Sequence, residues 1–170
     1  LVRGARGNKF RYAGEVWRGV HRLYVQKAGD ARYVKQLADA VGEVKVGNGV
    51  EEGVIVGPLI EPSALEKVEE HVKDAVSKGG RLLTGGERHP LGGNFWQPTV
   101  IGDAHEGMKL AQEETFGPVA ACFRFDDEAD VIKRANNTEY GLAAYFYTQN
   151  LQRVFRVSAA LEAGMVGINE

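Results

Sequence analysis

A single cysteine, Cys122, excludes an internal disulfide and suits a reducing compartment, so the cytoplasm is the expected location. No apolar run approaches the length of a membrane-spanning helix, and no secretory signal is expected, so a membrane is not an expected partner. The formal net charge is only −2, which gives no reason to expect nucleic acid or an anionic bilayer as a partner. The four histidines, His21, His71, His89 and His105, show no metal-site spacing; surface or capping roles are expected of them, and no metal. No internal repeat is visible, and the 22 glycines are scattered as punctuation rather than gathered in a linker.

What remains is ordinary for one soluble domain: 170 residues, 26% charged and 44% hydrophobic. Leu1 to Phe10 reads as a frayed helix leading into Arg11–Gly14. His21 to Gln26 is aromatic and β-branched enough for a strand. Asp30 is placed to cap a helix over Ala31–Val44, whose stripe is Tyr33, Val34, Leu37, Val41 and Val44. Val50 to Ile60 is a loop, and Pro62 opens a second helix with Leu65, Val68, Val72, Ala75 and Val76 on one face, stopped by Gly79-Gly80. Arg81–Thr84 is a short strand, and Phe95–Ile101 an edge strand because Pro98 cannot donate to a ladder. Val119–Phe125 is a buried strand. Asp126 caps a helix through Ala135, with Ala129, Val131, Ile132 and Ala135 inward. Leu142–Tyr147 is a strand, Asn150 caps a helix packed through Leu151, Val154, Phe155 and Ala159, and Met165–Ile168 is a last strand. Strands alternating with helices of this length predict an α/β fold, a mostly parallel sheet with helices on both faces.

The stretch around which this pattern turns is Glu113-Glu114-Thr115-Phe116-Gly117-Pro118. Gly117 lets the backbone bend and Pro118 fixes φ where the next strand begins, which would hold Glu114 and Phe116 at a strand mouth. Such mouths bind ligands when they are the carboxyl ends of parallel strands. The other reading is an acidic surface turn capped by a packing aromatic. Charge chemistry alone favours that one, since paired carboxylates usually form a solvated face.

Four motifs in order resemble the aldehyde dehydrogenases: Val56-Gly57-Pro58-Leu59-Ile60, Asn94 to Val100, Glu113 to Pro118, and Asn136 to Ala144. Lys9-Phe10-Arg11 and Arg22-Leu23-Tyr24-Val25-Gln26 are similar to the succinate-semialdehyde subset of that family. The resemblance spans the whole chain and implies a single catalytic-type domain over 1–170, without the NAD(P)-binding and oligomerisation parts of the family. It implies a chemistry in which a cysteine thiolate attacks the aldehyde, hydride passes to NAD or NADP, and water, helped by a glutamate base, hydrolyses the thioester. At the nucleophile position this chain has Trp17, and two places on it has Gly19. Tyr12, Glu15, Val16, Arg18 and His21 also depart from the family pattern.

An indole cannot form the covalent adduct, and Trp17 is expected to plug the pocket. Catalytic residues are therefore expected to be none. The resemblance leaves Arg11 as the arginine that would pair with a substrate carboxylate. It leaves Glu114 as the residue that would hold the nicotinamide ribose, with Phe116 the aromatic beside it. No bound cofactor is expected for the chain by itself, since no glycine-rich strand-to-helix fingerprint is present. Cys122, inside an apolar strand, is expected to be a buried thiol with a raised pKa.

Arg3, Arg6, Asn8, Glu15, Arg18 and Glu170 place polar groups where a longer enzyme would meet its other domain, the pattern expected of an isolated, engineered or truncated domain. The chain is expected to be a monomer without dehydrogenase activity. Two alternatives stand beside this: an enzyme completed by another chain, and an assembly module. The latter would use the sheet edge at Met165, Val166, Gly167 and Ile168, where the family pairs a strand of a neighbouring subunit, as a homodimer contact.

Overall fold

The apolar run Val119–Phe125 becomes the middle of the molecule. The structure, a computed structural model, describes residues 1–170. Its main sheet contains β1 (Arg22–Gln26), β2 (Arg81–Thr84), β3 (Thr99–Ala104) and β4 (Val119–Phe125), in the spatial order β1-β4-β3-β2. β4 runs parallel to both neighbours, with Arg22 opposite Ala121 and Thr99 opposite Val119, and β2 is antiparallel to β3. A strand flanked on both edges and covered on both faces reads as a continuous apolar run, and Val119 to Phe123 are all buried.

Three helices supply most of the cover: α1 (Val2–Phe10), α2 (Asp30–Gly42) and α3 (Pro62–Ser77). Side chains alternate across a strand, so Ile101 and Gly102 mark opposite faces of β3. A Cβ built on Gly102 would meet Val34 of α2, while the Ile101 side chain lies over Gly80 beside Ala75 of α3. α2 and α3 therefore cover opposite faces, as the α/β reading requires. Pro62 at the first helical position and Gly79 at φ +94° bound α3 as expected.

The remaining elements are α4 (Lys109–Gln112), α5 (Glu128–Asn136), β5 (Ala143–Phe146), α6 (Leu151–Ala160) and β6 (Met165–Ile168). β5 and β6 pair in parallel as a separate two-stranded sheet, not as an extension of the main one. The stripe expected to face inward on α6 does not: Leu151 and Phe155 are each 69% exposed, and Val157 is the buried residue. α5 has no buried residue and Ala129 is exposed. Helical period alone cannot say which side of an amphipathic helix meets a core, and here little core is offered.

Three other local readings change. β3 begins at Thr99, after Pro98, and is internal; Pro98 has no N–H to give, so the ladder starts one residue later, with Thr99 N–H donating to Pro118 O at 2.9 Å. The α5 cap is Asp127, which accepts from Asp130 N–H, while Asp126 pairs with Lys27. Asp30 is the first residue of α2 rather than its cap: its buried carboxylate accepts two hydrogen bonds from Arg124, at 3.0 and 2.8 Å. Arg124 also donates to Asp103, tying α2, β3 and β4 at one corner.

Asp30→Ala should cost about 1–2 kcal/mol in urea unfolding, less than a fully buried pair because Arg124 stays half in water and keeps Asp103. An unchanged denaturation midpoint would remove this corner from the list of stabilising contacts.

Candidate functional site

The helical spacing of Ala5 and Lys9 points both inward, and Phe10 beside them is fully buried. Three residues in a row then take left-handed backbone, Tyr12 (φ +51°), Ala13 (+56°) and Gly14 (+76°), which reverses the chain away from α1. For the two non-glycine residues this costs roughly 1–2 kcal/mol each and must be held by the surroundings. Those surroundings are the Glu113–Pro118 turn: a Cβ on Gly14 would overlap the Gly117 carbonyl, and a Cβ on Gly117 would overlap Val68 of α3. Phe116 is also left-handed, at φ +48°, so the turn is wedged rather than relaxed.

The loop after Gly14 is pinned at both ends. Glu15 accepts from Ile60 N–H at 3.2 Å, Asn8 accepts from Val20 N–H at 2.7 Å, and Tyr145 O–H donates to Arg18 O at 3.1 Å. Asn8 and Glu15 are thus engaged with backbone groups rather than held free in solvent. Trp17 stands on this loop 82% exposed, which corrects the expectation that it plugs a pocket. With both loop ends anchored and Gly19 N–H folded back on Val16 O, the indole is turned to solvent.

Arg11 is exposed and its guanidinium donates to the Tyr12 hydroxyl at 3.2 Å while lying 4.8 Å from that ring's centre. Phe116 is half-buried. Glu114 is half-buried and its carboxylate makes no hydrogen bond or ion pair with the protein, which leaves an acceptor open to a ligand hydroxyl. The Trp17 loop leads into β1 and the turn leads into β4, so this surface lies at the amino ends of the parallel strands, not the carboxyl ends. The sheet-end rule for ligand sites therefore does not select it.

Behind the turn is a buried polar cluster that the sequence reading passed over. Lys9 is 3% exposed without a hydrogen-bonded or ion-paired partner; burial pushes its ammonium down to about 8, opposed by the Glu114 carboxylate. His21 Nε2 lies 2.7 Å from Leu110 O, and burial, with Lys9 nearby, lowers its pKa to about 4. His71 is 1% exposed, with Nδ1 3.0 Å from Thr115 Oγ1 and Nε2 3.3 Å from Glu113 Oε2. A surface role for His71 is thus overturned. The signal was present in the sequence: residue 71 falls inside the Leu65, Val68, Val72, Ala75 stripe, and Lys9 follows Ala5 by one turn.

Of thiol chemistry the structure holds only Cys122, buried in β4 with its pKa pushed up to about 12 by burial. No group of three His, Cys, Asp or Glu side chains could hold a metal ion. For a dinucleotide, the open Glu114 carboxylate and Phe116 fit the vicinal hydroxyls of a ribose and nothing further, because no helix N-terminus with a glycine-rich approach lies beside them to receive phosphates.

Comparison with known proteins agrees with these motifs. The model of the "Aldehyde dehydrogenase family" matches residues 1–170. The chain is 53% identical over 168 residues to the NADP(+) succinate-semialdehyde dehydrogenase GabD of Escherichia coli (strain K12), covering 99% of this chain and 35% of that protein. It is 51% identical to the 3-sulfolactaldehyde dehydrogenase of Pseudomonas putida, with the same coverage. The crystal structure of succinate-semialdehyde dehydrogenase from Burkholderia pseudomallei superposes with a TM-score of 0.97 at 47% identity, over 99% of this chain and 35% of that one. The chain thus spans about a third of the length of these relatives.

Two ionisations make stability rise with pH, in separate windows. His21 has a folded pKa below its ordinary value, so stability is lost as pH falls from 6.5 to about 4, by up to roughly 3 kcal/mol. Lys9 is protonated in both states at neutral pH, and its burial cost disappears as pH rises from about 8 to 10.5. Lys9→Met should therefore stabilise the chain at neutral pH by up to roughly 3 kcal/mol, with the gain shrinking above about 8 in paired urea melts. A gain independent of pH would contradict this.

Proposed function

Because the chain belongs to the aldehyde dehydrogenase family, we propose that it is a catalytic-type unit resembling the semialdehyde dehydrogenases that does not oxidise aldehydes by itself. The observation that carries this reading is Trp17, an exposed indole on a pinned loop at the position where the family has its nucleophilic thiol. The remaining thiol cannot substitute. Cys122 is a β4 residue in the core, and a group with a pKa near 12 supplies almost no thiolate at neutral pH.

The surface around the turn retains binding chemistry without bond-making chemistry. Arg11 presents a fork of N–H donors suited to a carboxylate, once Tyr12 releases it. Glu114 can accept from ribose hydroxyls, and Phe116 offers an apolar edge beside it. A nicotinamide cofactor, NAD or NADP, would supply the hydride acceptor when bound; this chain's own residues would orient its ribose. In this reading the chain is a stand-alone, engineered or truncated unit whose single cysteine suits the reducing cytoplasm and whose Arg3 and Arg18 are exposed on its surface. It is proposed to be a monomer.

One observation favours a second reading. β5 and β6 pair only with each other, so each has an unpaired edge that another strand could extend, whether from a second copy or from a chain that completes the enzyme. Sedimentation distinguishes these: a single monomeric boundary supports the first reading, and a dimer or a stable hetero-complex supports the second.

Purified chain mixed with succinate semialdehyde and NAD or NADP should give no increase in reduced-nicotinamide absorbance. Sustained turnover would overturn the proposal. Trp17→Cys should gain an exposed, alkylatable thiol, with iodoacetamide labelling at least about tenfold faster than in the unmodified chain, and still no hydride transfer.

A further inference from the structure

The two carboxylates that open the turn are treated differently by the structure. Glu114 is unpaired, whereas Glu113 is approached by the His71 ring. A carboxylate can only accept, so His71 Nε2 carries the hydrogen toward Glu113. Nδ1 is then bare and accepts from the Thr115 hydroxyl. His71 thereby grips the residues on either side of Glu114. Val68, one helical turn earlier on the same face of α3, fills the space above Gly117 that a side chain there would need. A single face of α3 thus meets Glu113, Thr115 and Gly117, while the Glu114 carboxylate makes no hydrogen bond or ion pair.

We propose that His71 is a positioning residue: through Thr115 and Glu113 it fixes the left-handed turn at Phe116 and keeps the Glu114 carboxylate free for a ligand diol. The inference deepens the ribose reading of Glu114 and rests on it for its purpose, but the effect on the turn stands by itself. The groups facing the ring are Glu113 and Thr115 from the turn, Lys67 and Glu70 from its own helix, and His21 from the start of β1. Burial holds the ring neutral against the pull of Glu113 and Glu70, and Lys67 acts in the same direction as burial. Protonation would give the ring its second N–H, at Nδ1, which the Thr115 hydroxyl must then turn to accept, so the turn should register the change.

The test is a pH titration of the full chain by NMR, following the His71 ring and the Phe116 and Gly117 amides. In the unmodified chain the two amides should shift with the midpoint of the ring. In Thr115→Val the ring should still titrate while the Phe116 shift is lost. His71→Gln, whose amide can accept from Thr115 and donate to Glu113, should keep the native amide positions without any pH response. His71→Leu should displace them at every pH.

Amides that ignore the ring's midpoint, or Gln and Leu variants that behave alike, would overturn the proposal. Reduced nicotinamide mononucleotide is the ligand probe. Its affinity should fall about tenfold in His71→Leu and stay near native in His71→Gln. If the probe fails to shift the Glu114 region of the unmodified chain, the ribose reading fails, while the titration still decides the role of His71.

Discussion

Two glycines let two backbones meet where no side chain could stand between them. Gly14 lies against the carbonyl of Gly117, and Gly117 lies against Val68. Through that contact the segment after α1, the acidic turn and α3 become one rigid corner. The corner holds three non-glycine residues in left-handed backbone, Tyr12, Ala13 and Phe116. Such conformations persist only when the neighbours over-determine them. The position of Glu114 follows from the corner, and so does the direction in which the Trp17 loop leaves it.

Burial is unevenly distributed around this corner. From Ala5 to Phe123 the apolar side chains form one continuous core, with Trp96, Phe10 and Phe123 among its largest members. Beyond β4 the single buried residue is Val157, while Tyr140, Leu142, Leu151, Phe155 and Met165 are exposed. Stability should follow the same gradient, since units with few buried contacts open first. The site surface belongs to the well-packed part. The turn is held by packing that does not involve Trp17: Gly14 and Val68 close on Gly117.

Much of the fold was legible because its signals are local. The limits of β2 and β4, Pro62 opening α3, and the Asn150 cap of α6 all follow from residue types and spacing. What was not legible depends on partners distant in sequence. Asp30 looks like a cap until Arg124 is brought to it, and the Leu151–Phe155 stripe looks inward until the core proves to be elsewhere. In the site, the order of the motifs pointed to the turn and to Trp17 as the residue expected at the family's nucleophile position. The burial of Lys9 and of His71 follows helical spacing, residue 9 one turn after Ala5 and residue 71 between Val68 and Val72, but the polar groups near them lie far along the chain. The direction of the Trp17 side chain depends on hydrogen bonds that Glu15 and Asn8 accept from the Ile60 and Val20 N–H groups, far along the chain or across the loop.

If the Gly14–Gly117 contact holds the corner together, hydrogen exchange at individual amides will separate native from Gly14→Ala chains. The added methyl should lower protection at Gly117, Val119 and Val20 by at least about tenfold and leave the amides of α6 as they were. Equal protection in the two chains at those three amides would contradict it.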